Sequence, residues 1–334
     1  MNPSRSRRRA GNRHEPLSLR ERGRGEGNAP MTDASAATHK DLSERTLGIL
    51  LLLPAALLLL VIVVYPIATL FWNSLHSTDP VNPQAGELFV GLDNYARAFA
   101  DDRFWNSTLK TVLYIVVTVP GALLVGLGLA LLANQPFKMK WPVRLGLLLP
   151  WALPLVFAGL IFRWFFEYRT GVVNDWLATF GMEPPQWLSD PTLAFWAICI
   201  AIIWKASSFM GLMLLAGLQT IPKSLYEAAE VDGATAWQQF VEISLPMLRP
   251  TIFVALIFRT ITAVQTFDIP YAMTGGGPGD ATETLAMYIN KTTLDFLDFG
   301  YGSALAALMF VISMVATSGY LRYTRRSAAR GGEV

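Results

Sequence analysis

An all-α, polytopic membrane protein with six transmembrane helices is the fold this sequence predicts, and three observations predict it. Of the 334 residues, 52% are apolar and only 16% are charged, a balance unlike that of a soluble domain. Six apolar segments, near 47–73, 111–133, 142–165, 192–219, 250–270 and 301–321, each reach about the 20 residues a helix needs to cross a hydrocarbon core of roughly 30 Å. Lipid supplies no hydrogen bonds, so segments of this kind must satisfy their backbones internally, as helices.

The charges between these segments set an orientation. Lys40 and Arg45 precede the first span, Lys138, Lys140 and Arg144 surround the loop after the second, and Arg322, Arg325, Arg326 and Arg330 follow the sixth. In a six-span chain all three regions fall on one side, which the positive-inside rule makes cytoplasmic, together with both termini. The protein is thus expected in the plasma (inner) membrane as a multi-pass chain. The opposite segments, 74–110, 166–191 and 271–300, are acid-rich with Gly and Pro turns and too short for independent domains.

Residues 1–46 read as an N-terminal tail and 322–334 as a C-terminal one. The first thirty residues are Arg-rich, without apolar periodicity, and disordered by composition. Translation is expected to start at Met31, because MTDASAATHKDLSER leads directly into the first span. That span is too long for a signal-peptide core and is expected to remain as an anchor. With a net charge of only +2, the chain carries no argument for nucleic acid.

Several chemistries are set aside on residue types. The single cysteine, Cys199, lies in an apolar run and cannot build a disulfide or a cysteine zinc site within the chain. His14, His39 and His76 fall outside the spans, without ligand-like spacing, so no metal is expected. None of the seven lysines follows a glycine, so the GxxxxGK[ST] phosphate loop is absent and the chain does not hydrolyse ATP by that device. No cofactor is expected and the chain is read as non-catalytic.

The cytoplasmic segment 220–249 carries the strongest pattern. Glu227-Ala228-Ala229, three residues, Gly233, nine residues, Ile243, one residue and Leu245-Pro246 follow in order. Pro222 suits the first turn of a helix, and Leu225, Ala228, Ala229 and Val231 can share an apolar side. Gly233 permits positive φ and hence a sharp reversal. Trp237, Phe240 and Val241 suit a second helix, which Leu245-Pro246 is expected to end.

This spacing resembles the EAA coupling loop of ABC importer permeases. The resemblance extends to Phe89–Tyr95 (FVGLDNY), to Leu215–Gln219 (LAGLQ) and to Phe267–Pro278 (FDIPYAMTGGGP), and covers about residues 45–322. It is nearest to the first permease subunit of maltose-, trehalose- and glycerol-3-phosphate-type systems, without the long outer insert of the enteric maltose subunit. It implies the type I ABC importer (MetI-like) permease fold, a second homologous permease, an ABC ATPase dimer docked on the loop, an extracytoplasmic solute-binding protein and a carbohydrate substrate.

Within the spans, ionisable residues are costly and usually line a cavity or find a partner. Lys205, Arg259 and Asp268 are the candidates for a substrate path, with Gln265 three residues before Asp268 and so on its helix face. Trp204 and Phe267 stand beside them, as aromatic surfaces that could also simply pack. Lys205 and Arg259 could equally pin helices through carbonyls or carboxylates. The TGGGPG run reads as a flexible connector on the outer side. An ion-coupled carrier, the alternative, predicts inverted repeats, broken helices and midplane acids. A membrane-embedded enzyme needs a convergent set inside the spans, and all three histidines lie outside them.

Overall fold

The computed structural model describes residues 43–78, 86–135 and 141–331. The tail at 1–30, the start at Met31 and the loop lysines Lys138 and Lys140 lie outside the described residues, as do the side chains of Arg144, Arg325, Arg326 and Arg330. The chain divides into two compact units, residues 1–56 and 57–334.

The described part of the first unit begins helix α1 (Glu44–Leu59), where the Ser43 hydroxyl accepts the Thr46 N–H at 3.3 Å. In the second unit a widened π turn, Leu60–Val64, leads into α2 (Tyr65–Ser74). The Tyr65 N–H reaches back five residues to the Leu60 carbonyl, immediately before Pro66. A proline ring clashes with the carbonyl four residues earlier in a regular helix, and a widened turn relieves that clash. A two-stranded antiparallel ladder follows, β1 (His76–Thr78) with β2 (Glu87–Phe89), in the register His76 opposite Phe89. Asn94, on α3 (Asp93–Ala100), donates to the Ser74 and His76 carbonyls and closes this segment.

Helix α4 (Asp102–Asn134) starts nine residues before the apolar segment does, capped by Asp101, whose carboxylate accepts the Arg103 N–H at 2.9 Å. It packs along α8 (Pro191–Gln219). Thr118, Ala122, Gly126 and Ala130, four residues apart, form the buried stripe. A Cβ on Gly126 would stand 2.8 Å from the Met210 Cβ and 3.0 Å from both the Gly211 nitrogen and the Ser207 carbonyl, so α8 comes close to α4 where Gly126 has no side chain. Small residues at such spacing are how helices approach closely in lipid, where apolar burial supplies no force.

The third expected span is not one helix. α5 (Trp141–Ala152) and α6 (Leu155–Phe165) are bent by 103° at Leu153-Pro154. Pro154 has no N–H to continue the ladder and disfavours helix in the residue before it, which ends α5. Five described helical runs are long and apolar enough to cross a membrane, and this bent pair makes the sixth if counted as one span. After α6 come the short helix α7 (Val172–Thr179), then α8, then α9 (Lys223–Val231) and α10 (Ala236–Gln239).

Leu245-Pro246 does not end the helix begun by α10. A second π turn, Phe240–Ser244, carries it directly into α11 (Leu245–Val264), and the Leu245 N–H reaches back to Phe240. The device is the one seen before Pro66: the turn widens and gives the Pro246 ring its room. The fifth span, expected over 250–270, stops at Val264. Pro270 is the cause, because in a continued helix its ring would clash with the Thr266 carbonyl. That carbonyl instead accepts the Thr284 hydroxyl at 2.7 Å, and a separate helix, α12 (Asp268–Thr274), begins beyond it. Gln265 and Asp268 therefore lie on either side of a break and do not share a helix face, a correction to the expectation from their spacing.

α13 (Leu285–Asn290), a π turn over Lys291–Asp295 and α14 (Phe299–Gly331) complete the chain. α12 lies against α6 at Gly159, where an added Cβ would come within 2.6 Å of the Ala272 Cβ. α14 packs on α2, α3 and α13. Tyr65, Trp72, Trp105 and Trp164 are all exposed on the surface of their helices.

Candidate functional site

A cavity of about 660 Å³ opens where the break in the third span faces α8 and α11. Lys205, Arg259, Gln265, Phe267 and Asp268 all line it, together with Trp151, Phe209, Phe258 and Thr262. The structure thus brings together five of the six residues picked from the spans. The sixth, Trp204, faces the core instead, its ring 5.3 Å from that of Phe162. Phe267 lies at the cavity and also stacks on Tyr271, with ring centroids 4.9 Å apart and planes 19° from parallel.

The two cations behave differently. The Lys205 ammonium donates to the carbonyls of Pro150 (2.5 Å), Trp151 (2.8 Å) and Leu153 (2.6 Å). These are carbonyls at the open end of α5, left without helical donors where Pro154 breaks the span. Lys205 is the cap of that break. Arg259 has no such set: among the described residues its Nη1 and Nη2 reach only the hydroxyls of Thr262 (3.3 Å) and Thr118 (3.2 Å). Its buried Nε has no hydrogen-bond partner, and it forms no ion pair among the described residues. Asp268, at the first position of α12, likewise joins no ion pair among them.

The second constellation is the loop at 220–249. α9 ends in a Schellman turn: Gly233 has φ +79°, its N–H bonds to Glu230, and the Ala234 N–H reaches back to Ala229 at 2.8 Å. Thr235 then caps α10 with Gln238 as a reciprocal capping box, a T-x-x-Q signal the sequence reading had not used. The Tyr226 hydroxyl pairs with Ser244 at 2.8 Å, and Tyr226 and Ile243 pack on the buried cluster of Leu214, Leu218 and Leu248. Glu227, Ala228 and Gly233 are exposed, while Ala229, Leu245 and Pro246 are half-buried. Leu225, Val231 and Trp237 also face out, Val231 at 88% exposure, so the apolar side of this loop is not covered by its own chain.

The family model for the binding-protein-dependent transport system inner membrane component matches residues 98–328. The chain belongs to this family. It is therefore a membrane permease component, of the carbohydrate ABC type. The sulfoquinovosyl glycerol transport system permease protein SmoG of Agrobacterium fabrum is 61% identical over 85% of this chain and 92% of its own length. The trehalose/maltose transport system permease protein MalF of Thermococcus litoralis is 42% identical over 84% of this chain and 95% of its own. Among solved structures, a bacterial alginate ABC transporter crystallised with an alginate pentasaccharide-bound periplasmic protein aligns with a TM-score of 0.75 at 24% identity, covering 86% of this chain and 96% of that one, a likeness of fold. Broken helices were the mark assigned to an ion-coupled carrier. Here a break occurs in an ABC permease, so that mark does not discriminate.

The permease has a third constellation, which sequence reading missed. Glu283 is fully buried, yet ionic: Arg103 donates Nε to it at 2.8 Å and Nη2 at 2.9 Å, and Lys291 approaches at 2.7 Å. Asp280 adds a second carboxylate to both bases. Nearby, Asp101 accepts the hydroxyls of Tyr301 (2.6 Å) and Tyr288. Thr282 bonds to Thr274 and to the Gly277 carbonyl, and Thr282, Glu283 and Thr284 have no exposure at all. The Gly-rich run is thus a clamped turn and not the flexible connector expected.

Burial works to raise the Glu283 pKa, but the hydrogen bonds and charges of Arg103 and Lys291 outweigh it and hold the carboxyl below its usual range. With the folded pKa below the unfolded one, the clamp contributes fully above the usual carboxylate pKa and is lost as pH falls through the lowered value. Near neutral pH, Glu283→Gln is expected to cost about 3 kcal/mol, the lower end for a broken buried pair because both bases are part-exposed. Thermal unfolding of the purified protein checks this: the gap between variant and wild type should narrow as pH falls below the ordinary carboxylate range, and close only once the lowered folded pKa is passed and the wild-type carboxyl is protonated too.

Proposed function

We propose that this permease pairs with a second homologous permease to form the solute path of an ATP-driven carbohydrate importer, fed by an extracytoplasmic binding protein. In this reading residues 47–321 form the permease domain, both termini are cytoplasmic, and loop 220–249 docks on a separate ABC ATPase dimer. Glu227, Ala228, Ala229 and Gly233 meet the ATPase, with Ile243, Leu245 and Pro246 transmitting its closure.

The observation that carries the reading is the continuous helical element from Ala236 to Val264. One end belongs to the exposed loop, and its other end supplies Phe258, Arg259 and Thr262 to the cavity. A displacement at the loop is delivered to the solute site along one helical run, through the widened turn at Phe240–Ser244. The cavity volume lies in the range of about 300–1,000 Å³ used for small molecules. Its aromatic faces beside Arg259, Gln265 and Asp268 suit sugars, which have an apolar ring face and a polar edge. The names of the two relatives point to the same substrate class.

A pull-down of tagged protein in mild detergent, with and without Glu227→Lys, tests the assembly. The expected result is recovery of a second permease and an ATPase with the wild type, and loss of the ATPase with the variant. Recovery of the chain alone, with uptake insensitive to ATP depletion but abolished by uncouplers, would overturn it.

A further inference from the structure

We propose that Arg259 is an anion-recognition point of the cavity, so that the carried solute is a glycoside bearing a fixed negative charge. The inference rests on the reading of the cavity as the solute path. Both cations line that cavity, but they are not equivalent. An ammonium has three N–H donors, and Lys205 commits one to each of three carbonyls. It is spent on the fold.

A guanidinium has five N–H donors in a planar fork suited to oxyanions. Arg259 uses it on two threonine hydroxyls at long range and leaves Nε bare. A half-buried cation at a membrane span with only neutral partners lacks the counter-charge its desolvation calls for. Asp268 lines the same cavity yet does not pair with it among the described residues. Arg259 and Thr262, three apart on α11, share one helix face, and Gln265 follows at its end, so a charged group and the adjoining hydroxyls of one glycoside can be met together. A sulfonate answers this description, and a sulfoquinovosyl group carries one. The other source of a counter-charge is a carboxylate of the second permease, and the test separates the two.

The complete transporter, with its second permease, ATPase and binding protein, is reconstituted in proteoliposomes carrying wild type, Arg259→Gln or Arg259→Lys. Uptake of labelled sulfoquinovosyl glycerol and of neutral glucosyl glycerol is measured at saturating binding protein. Arg259→Gln is expected to lower uptake of the sulfonated glycoside by about tenfold or more, the scale of one lost charge-assisted hydrogen bond. Arg259→Lys should retain most of it, and the yield of assembled complex should not change. Equal uptake of the sulfonated glycoside by wild type and Arg259→Gln would overturn the proposal. So would a wild type that carries only the neutral glycoside, or a collapse of assembly in Arg259→Gln that Arg259→Lys restores, which marks an ion pair between subunits. A wild type that recovers no ATPase and carries neither glycoside would instead overturn the importer reading itself.

Discussion

Gly233→Pro is expected to reduce uptake to background while leaving the binding protein's affinity for its solute unchanged. The residue has φ +79°, and proline is locked near about −65°. The substitution also removes the N–H that bonds to Glu230 and dislodges the Ala234–Ala229 bond beside it. The local cost is about 3 kcal/mol or more. It falls on an exposed turn whose Cβ position is open, so the spans themselves have no reason to unfold. What changes is the angle between α9 and α10, and hence the surface offered to the ATPase. Gly233→Asn is the control, since asparagine tolerates positive φ better than other side chains and should keep part of the activity. Uptake at the wild-type rate by Gly233→Pro would remove the coupling role from this loop.

Much of this architecture is legible in the sequence because lipid imposes a coarse rule: a span must be long, apolar and helical. The rule locates the six runs, but it is blind to where a run breaks. Composition does not show that the chain breaks at Pro154 and before Pro270, and the spacing of Gln265 and Asp268 runs across the second break. Pro246 misled in the other direction, since a widened turn let the helix pass it. The Glu283 clamp was illegible for a different reason. Arg103 and Glu283 are 180 residues apart, and no local pattern marks two of the many charges between the spans as partners. Lys205 and Arg259 looked alike as isolated basic residues in apolar runs, and only the carbonyls around the first distinguish them.

That difference makes Lys205→Met the sharpest contrast to the Arg259 variants. Methionine keeps the length and apolar stem of lysine but cannot donate, so three carbonyls at the end of α5 lose their partner at once. Those of Pro150 and Leu153 are part-buried, and each acceptor left bare in such a place costs about 1–3 kcal/mol. With the pin gone, the 103° bend has no ammonium to hold it, and the cavity wall formed by Trp151, Leu153 and Pro154 loses its position. The expected result is a several-fold fall in assembled complex and a lower thermal midpoint, with neutral and charged solutes affected alike. Lys205→Arg, which restores donors at the same place, should recover assembly in part. If Lys205→Met instead assembles normally and fails only with an anionic glycoside, the ammonium leaves its carbonyls to meet the solute, and the division of labour between Lys205 and Arg259 is wrong.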